Sequence, residues 1–130
     1  MTTLTVRAGP FSIFFTNINR KMGLRGHSHF ATVDLYYRAD AGEDSLGFPS
    51  FACTHAAIQI CLNEFCAKVF RDHTNERVAR EMFAALATFE HADIARWAIP
   101  TQLVRLDLNV RGVPDALGHA DSFTTYTVQA

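Results

Sequence analysis

The sequence has no excess charge of either sign, no long apolar run and few cysteines. Its 12 Lys and Arg against 13 Asp and Glu give a formal net charge of -1, whereas proteins that bind nucleic acids or anionic membranes normally carry a basic excess. No apolar stretch approaches the ~20 residues that span a bilayer, and the first residues lack the pattern of a secretory signal. The three cysteines form no CxxC pair, which fits a reducing compartment. We therefore expect a cytoplasmic protein that binds neither nucleic acid nor membrane.

Several common catalytic and binding motifs are also missing. The chain contains no P-loop, no GxGxxG, no GxSxG and no cysteine pairs at zinc-finger spacing, which argues against the usual nucleotide-phosphate, hydrolase and zinc-finger functions. What is present is enough apolar material for a core, because 48% of the 130 residues are hydrophobic. The length predicts that residues 1–130 form a single domain.

The first third of the chain alternates apolar and polar residues with period two, as strands do. One predicted strand covers residues 4–15 and contains Gly9-Pro10, which we expect to form a bulge or kink. A second predicted strand covers residues 26–38. The polar, glycine-containing residues 16–26 between them predict a long hairpin loop.

The middle of the chain has apolar residues at helical spacing. The stripe from Phe51 to Val69 predicts one helix, and residues 78–89 predict a second. Thr74 is a suitable N-cap for the second helix, and Glu76 in its first turn complements the helix dipole. Residues 91–97 predict a short third helix.

Two final strands, at residues 104–110 and 122–128, complete the order ββααββ. We expect an α+β fold in which two helices cover one face of a four-stranded antiparallel sheet. The other face and both edges then lack cover, and this predicts a homo-oligomer. A hot-dog fold is an alternative, but it needs one long central helix, and the break at residues 71–74 divides the helical region.

Four short segments match one family in the same order along the chain. They are residues 33–35 (VDL), Phe51-Ala52, residues 75–81 (NERVARE) and residues 111–114 (RGVP). They are similar to the second strand, the start of each helix and the turn after the third strand in the dihydroneopterin aldolase family. This family belongs to the tunnelling-fold (T-fold) superfamily, which the whole order of elements resembles.

The resemblance implies a barrel of joined subunit sheets, as a tetramer or octamer, that binds a pterin or related heterocycle at a subunit interface without a cofactor. Glu76 would anchor the N–H edge of the heterocycle. His27 or His29 would move protons, because histidine is the side chain that exchanges protons near neutral pH. The implied reaction is that of an aldolase or epimerase, a lyase or isomerase of pterin metabolism in folate biosynthesis. Further residues would line the substrate pocket, namely Phe51, Cys53, Thr54, Arg20 and Lys21.

The residues themselves leave other functions open. The family's catalytic lysine falls on Arg111 or Val110, and its catalytic tyrosine is replaced by Phe51. A diverged, non-catalytic protein that binds a heterocycle is therefore a second hypothesis. Without the resemblance, Glu76 fits a surface residue that complements the helix dipole better than an anchor. Arg20 and Lys21 fit a solvated turn better than a clamp for a phosphate or carboxylate of the substrate.

A zinc enzyme is the remaining alternative. Residues 26–30 (GHSHF), after Phe11-Ser12, resemble the zinc pattern of the 6-pyruvoyltetrahydropterin synthase family. His27 and His29 are two residues apart on a predicted strand and therefore point to the same face, where they could share zinc. Phe15 stands where that family has its first zinc histidine, so a third ligand would have to come from His55 or His119.

Overall fold

The computed structural model describes residues 2–20, 24–41, 51–88, 101–112 and 123–130. Side chains are described from residue 5 onwards in these ranges, except those of residues 19, 24–27, 39–41, 51–54 and 101.

Five strands and two α-helices make up the described part of the chain. In chain order they are β1 (Thr2–Asn19), β2 (Leu24–Ala41), α1 (Phe51–Cys66), β3 (Val69–Arg71), α2 (Asn75–Ala87), β4 (Thr101–Arg111) and β5 (Phe123–Gln129). The strands form one sheet in the order β3-β1-β2-β4-β5, with β3 parallel to β1 and the other neighbours antiparallel. The α+β class is confirmed. The predicted four-stranded antiparallel sheet needs a correction, since β3 adds a fifth strand and makes the sheet mixed.

The first two strands are longer than their apolar alternation indicated. β1 continues to Asn19 and β2 begins at Leu24, so most of the predicted loop over residues 16–26 is paired strand. Polar cross-strand contacts support this extension, because the hydroxyls of Thr16 and Ser28 lie 2.8 Å apart. A loop prediction based on polarity alone was therefore wrong here.

The predicted irregularity at Gly9 is confirmed. The β1–β2 register shifts between Ala8 and Phe11, and Gly9 has a φ of +135°. A Cβ at Gly9 would lie 2.8 Å from the backbone oxygen of Val33 and 2.8 Å from Oδ1 of Asp34. Glycine is required at this bulge because no other residue fits between the two strands.

The two helices follow the predicted apolar stripes, with one correction. In α1 the inward residues Ile58 and Leu62 are fully buried, but Val69 lies in β3, where it pairs with Thr16. The helix ends at Cys66, and the chain turns to add a strand beside β1. Along the chain, β3 therefore lies between the two helices.

The second helix begins where the sequence predicts. The hydroxyl of Thr74 accepts a hydrogen bond from the backbone N–H of Arg77 at 3.2 Å, which is an N-cap contact. The apolar face of α2 is buried at Val78, Met82 and Leu86. Residue 89 and the predicted third helix at residues 91–97 lie outside the described residues.

The core lies between the helices and one face of the sheet. Its largest fully buried side chains are Phe15, Phe70, Leu35, Ile58, Leu62, Met82, Leu106, Leu108, Val33 and Val78. Neither α1 nor α2, the helices in the described ranges, is long and apolar enough to cross a membrane.

Candidate functional site

A hydrogen bond joins His29 to a buried amide on the helix-covered face of the sheet. Phe15 pairs with His29 and Asn17 with His27 in the β1–β2 register, so Asn17 and His29 are diagonal neighbours on one face. Nε2 of His29 lies 3.1 Å from Oδ1 of Asn17, and its ring packs on that of Phe15 with centroids 5.1 Å apart. Asn17 is only 4% exposed, so the contact is shielded from water.

The same amide connects the sheet to the start of α2. Nδ2 of Asn17 donates to Oδ1 of Asn75 at 3.2 Å, and Nδ2 of Asn75 donates to the hydroxyl of Tyr126 at 3.4 Å. His29, Asn17, Asn75 and Tyr126 are called the amide chain below. It runs from β2 through β1 and α2 to β5, and it connects these four elements by side-chain hydrogen bonds.

Glu76 follows the amide chain directly. It lies in the first turn of α2 and is exposed. Among the described residues, its carboxylate has no hydrogen-bonding partner. The structure thus brings His29 within two hydrogen bonds of Asn75, the residue before Glu76.

Other predicted site residues are described only in part. His27 lies in β2 and pairs with Asn17 by backbone register, but its side chain is outside the described residues. Phe51, Cys53 and Thr54 form the first turn of α1, again without described side chains.

Of the two first-hairpin residues that we expect to line the substrate pocket, the structure describes only Arg20. Arg20 is exposed, and its backbone N–H donates to Oδ1 of Asp72 at 3.1 Å. Lys21 lies outside the described residues. The backbone of Arg20 therefore contacts the turn that precedes α2.

No zinc ligand set is found in the part of the chain that the structure describes, since no three His, Cys, Asp or Glu side chains there converge. His55 packs edge-on against Phe11, with ring centroids 5.3 Å apart. His119 is outside the described residues.

The two described cysteines are unsuited to nucleophilic chemistry. Burial raises the pKa of the Cys66 thiol to about 11, with Lys68 acting in the opposite direction. Burial also raises the pKa of Cys61, and the charge of Glu64 adds to the effect. A thiol must ionise to be reactive, so both cysteines pack as small apolar residues, as expected from their neighbours.

A second histidine, which the sequence did not single out, joins β3 to α2. Nδ1 of His73 lies 2.6 Å from the backbone oxygen of Arg71, and Nε2 lies 3.0 Å from Oε2 of Glu81. Burial acts to raise the pKa of Glu81, but hydrogen bonds and charges from His73 and Arg77 outweigh it and lower that pKa. Both ring nitrogens face acceptors, so His73 serves as a structural connection.

The face of the sheet opposite α1 and α2 holds a separate polar cluster. Asp34 and Asp107 stand directly opposite each other on β2 and β4, and each is 6% exposed. Arg7 contacts Asp34 at 2.9 Å, and Arg105 contacts both oxygens of Asp107 at 3.0 Å. Further bonds come from Asn109 to Asp34 and from Thr127 to Asp107.

This outer-face cluster holds strands together and is not open to a ligand. Burial acts to raise the pKa of Asp107, but hydrogen bonds from Arg105 and Thr127 outweigh it and hold that pKa below its ordinary value. Each carboxylate is already bonded to an arginine and to a neighbouring strand. The amide chain is therefore the better candidate for chemistry.

An open groove of about 520 Å³ lies beside β1, between the end of α1 and β3. Its walls include Phe14, Phe30, Lys68 and Val69. It is bordered by Phe15, on which His29 packs, but no member of the amide chain lines it.

Sequence reasoning missed Asn17 because it was assigned to a polar loop. A signal was present, since Asn17 continues the inward positions Phe11, Ile13 and Phe15 at period two. A polar residue in an inward position of a strand needs a partner, and this requirement points to the amide chain.

No protein-family model, curated protein or solved structure matches this chain. The geometry of its own residues therefore carries the functional argument.

Proposed function

We propose that this chain binds a pterin or a related planar heterocycle where α2 begins, and that it acts on this substrate by proton transfer. The observation that supports the proposal is the amide chain, in which Asn17 links His29 to Asn75. The two residues expected to act as proton carrier and anchor, His29 and Glu76, thus belong to one region of the fold. They are contributed by parts of the sequence that lie far apart.

Glu76 has the chemistry that a heterocycle anchor requires. Its carboxylate is exposed in the first turn of α2. A carboxylate accepts two parallel N–H bonds from a 2-aminopyrimidinone edge, and such charge-assisted pairs are stronger than neutral hydrogen bonds. The positive end of the helix dipole lies beside it and attracts its negative charge.

His29 has the chemistry that the proton transfer requires. Histidine is the side chain that exchanges protons most readily near neutral pH, and His29 is partly buried in the first third of β2. An aldolase or epimerase reaction, in the lyase or isomerase class, needs such a group beside a bound heterocycle. A protein that binds the heterocycle without acting on it is the rival proposal.

The sheet face opposite α1 and α2 supports a homo-oligomer, which we propose to be a tetramer or octamer with joined sheets. Three large aromatic side chains are exposed on the described strands: Phe14 is 49%, Phe30 is 65% and Phe123 is 55% exposed. Exposed apolar clusters of this kind are typical of interfaces. We expect the chain to sediment as an oligomer, and a monomer at all concentrations would contradict this part of the proposal.

The test of the proposed function is fluorescence titration with neopterin and dihydroneopterin. We expect the unmodified chain to bind one of them, and Glu76→Gln to weaken binding by about 10- to 100-fold. That range corresponds to the loss of hydrogen bonds to a charged group, about 1.5–3 kcal/mol. The amide of Gln keeps the size of the side chain but presents one acceptor in place of two.

The matched control is Glu64→Gln, which makes the same change at an exposed position near the end of α1. Its affinity should equal that of the unmodified chain. Absence of binding to every variant would refute the pterin proposal, and equal losses in both variants would refute the role of Glu76.

A further inference from the structure

His73 connects the short strand β3 to α2 through both nitrogens of its ring. It lies in the turn between the two elements, directly before the N-cap Thr74. Nδ1 is 2.6 Å from the backbone oxygen of Arg71, the last residue of β3, and Nε2 is 3.0 Å from Oε2 of Glu81, in the second turn of α2. The His73 side chain is 16% exposed, so both contacts are largely shielded from water.

Only a positively charged His73 ring satisfies both contacts. The backbone oxygen of Arg71 can accept a hydrogen bond but cannot donate one. Burial acts to raise the pKa of Glu81, but hydrogen bonds and charges from His73 and Arg77 outweigh it and lower that pKa. The carboxylate is therefore ionised at neutral pH and is also an acceptor only. In either neutral tautomer, one ring nitrogen would direct a lone pair at an oxygen.

Four further charged side chains lie in the same region of the described chain, namely Arg71, Asp72, Arg77 and Lys68. Nε of Arg77 is 3.3 Å from the second oxygen of Glu81, so this carboxylate lies between two cations. Lys68 and His73 pack on the same ring of Phe70. Within the described ranges none of the four side chains is hydrogen-bonded to the His73 ring, so Glu81 is the side chain that favours the charged ring.

Strand β3 has little other support from hydrogen bonds. It is three residues long and pairs with β1 only at residues 16–18. Segments with few backbone hydrogen bonds open at a low cost in free energy. The His73 ring adds a side-chain connection from the end of this strand to α2.

We propose that His73 is a pH-sensitive switch, which holds α2 to the end of β3 while its ring is charged and releases this connection when the ring loses a proton. A neutral ring has one N–H and keeps only one of the two contacts. The stabilising effect is present below the ordinary pKa of histidine, about 6.5, and is lost as the pH rises and the native ring is deprotonated. Protonation of Glu81 below about pH 4 also removes it. This inference does not depend on the proposed function.

The first test is nitrogen NMR of the His73 ring as a function of pH, with the ring signals assigned by through-bond correlation to the backbone. At about pH 5.5, between the ordinary pKa values of Glu and His, we expect both ring nitrogens to carry protons. Glu81→Gln keeps the size of the side chain but removes its charge. The ring of this variant should therefore lose its proton at a pH lower by about half a unit than in the unmodified chain.

Glu64→Gln is the control, because it makes the same change at an exposed position of α1. It should leave the His73 titration unchanged. A ring that is neutral at about pH 5.5 in the unmodified chain, or equal titration midpoints in Glu81→Gln and the unmodified chain, would overturn the inference.

The second test measures the coupling between the two side chains by urea denaturation of His73→Gln, Glu81→Gln and the double variant. At about pH 5.5, where both groups are charged, the product of the two single effects on the unfolding equilibrium constant should exceed the effect of the double substitution by about 3- to 10-fold. Well above the midpoint found by NMR, this coupling should fall below about 2-fold. An equal coupling at both pH values would refute the switch. If His73→Gln fails to fold, the titration of Glu81→Gln decides the question alone.

Discussion

Replacement of Gly9 by alanine tests the geometry of the β1–β2 bulge directly. At a φ of +135°, a residue with a Cβ is strained by about 1–3 kcal/mol. The new Cβ would also lie 2.8 Å from the backbone oxygen of Val33, closer than van der Waals contact permits. This oxygen belongs to the neighbouring strand, so the contact is relieved only if β1 and β2 separate locally.

A second contact adds to the cost. The Cβ would lie 2.8 Å from Oδ1 of Asp34, which accepts a hydrogen bond from Arg7 at 2.9 Å. Displacement of this carboxylate weakens that bond and the bond from Asn109, at about 1 kcal/mol. The total expected loss in the free energy of unfolding is about 2–4 kcal/mol.

Urea denaturation measures this loss. With a slope of about 2 kcal/mol per molar urea, which is within the range for small proteins, the unfolding midpoint of Gly9→Ala should fall by about 1–2 M. Thr5→Ala is the control, because Thr5 is exposed on the same strand and such substitutions change stability by less than about 0.5 kcal/mol. Equal midpoints for the two variants would refute the reasoning.

Two further predictions concern the outer-face cluster and the cap of α2. Asp107→Asn should lower the free energy of unfolding by about 1–3 kcal/mol at pH 7. Because the pKa of Asp107 is held below its ordinary value, its stabilising effect is complete at neutral pH. The difference from the unmodified chain should therefore shrink as the pH falls below about 4 and the native carboxyl is protonated, and a pH-independent difference in urea titrations would contradict it. Thr74→Ala removes the contact to the N–H of Arg77 and should lower thermal stability by about 1 kcal/mol. Thr74→Ser should retain most of it, and equal melting temperatures for the two variants would count against the cap.

The sequence predicted those parts of the fold in which the spacing of apolar residues indicates the buried face. Alternation in β2 and β4 and the stripe of α2 depend on Val33, Leu106 and Met82, which are all buried. The three-residue strand β3 was missed because three residues are too few to show a period. Val69 also matched the helical stripe, and only its pairing with Thr16 shows that it belongs to the sheet.

The candidate site was predictable only where a residue's role depends on its own position. Thr74 and Glu76 were identified because a cap and a first turn are local features. The burial of Asp34 and Asp107 was not foreseen, since their positions on the polar face do not show that Arg7 and Arg105 form ion pairs with them. The hydrogen bond from Asn17 to Asn75 joins residues 58 positions apart. No local sequence pattern predicts such a contact.

The pairing of β2 with β4 has a consequence for the order in which this chain can fold during synthesis. β1 and β2 are contiguous and can pair as soon as residue 41 has left the ribosome, but β2 also pairs with β4, for example Ala31 with Val110. Until residues 101–111 emerge, one edge of β2 and the apolar side chains of Val33 and Leu35 lack their later neighbours. A nascent chain stalled in the helical region therefore exposes an open strand edge beside apolar surface, the combination that recruits chaperones and promotes aggregation.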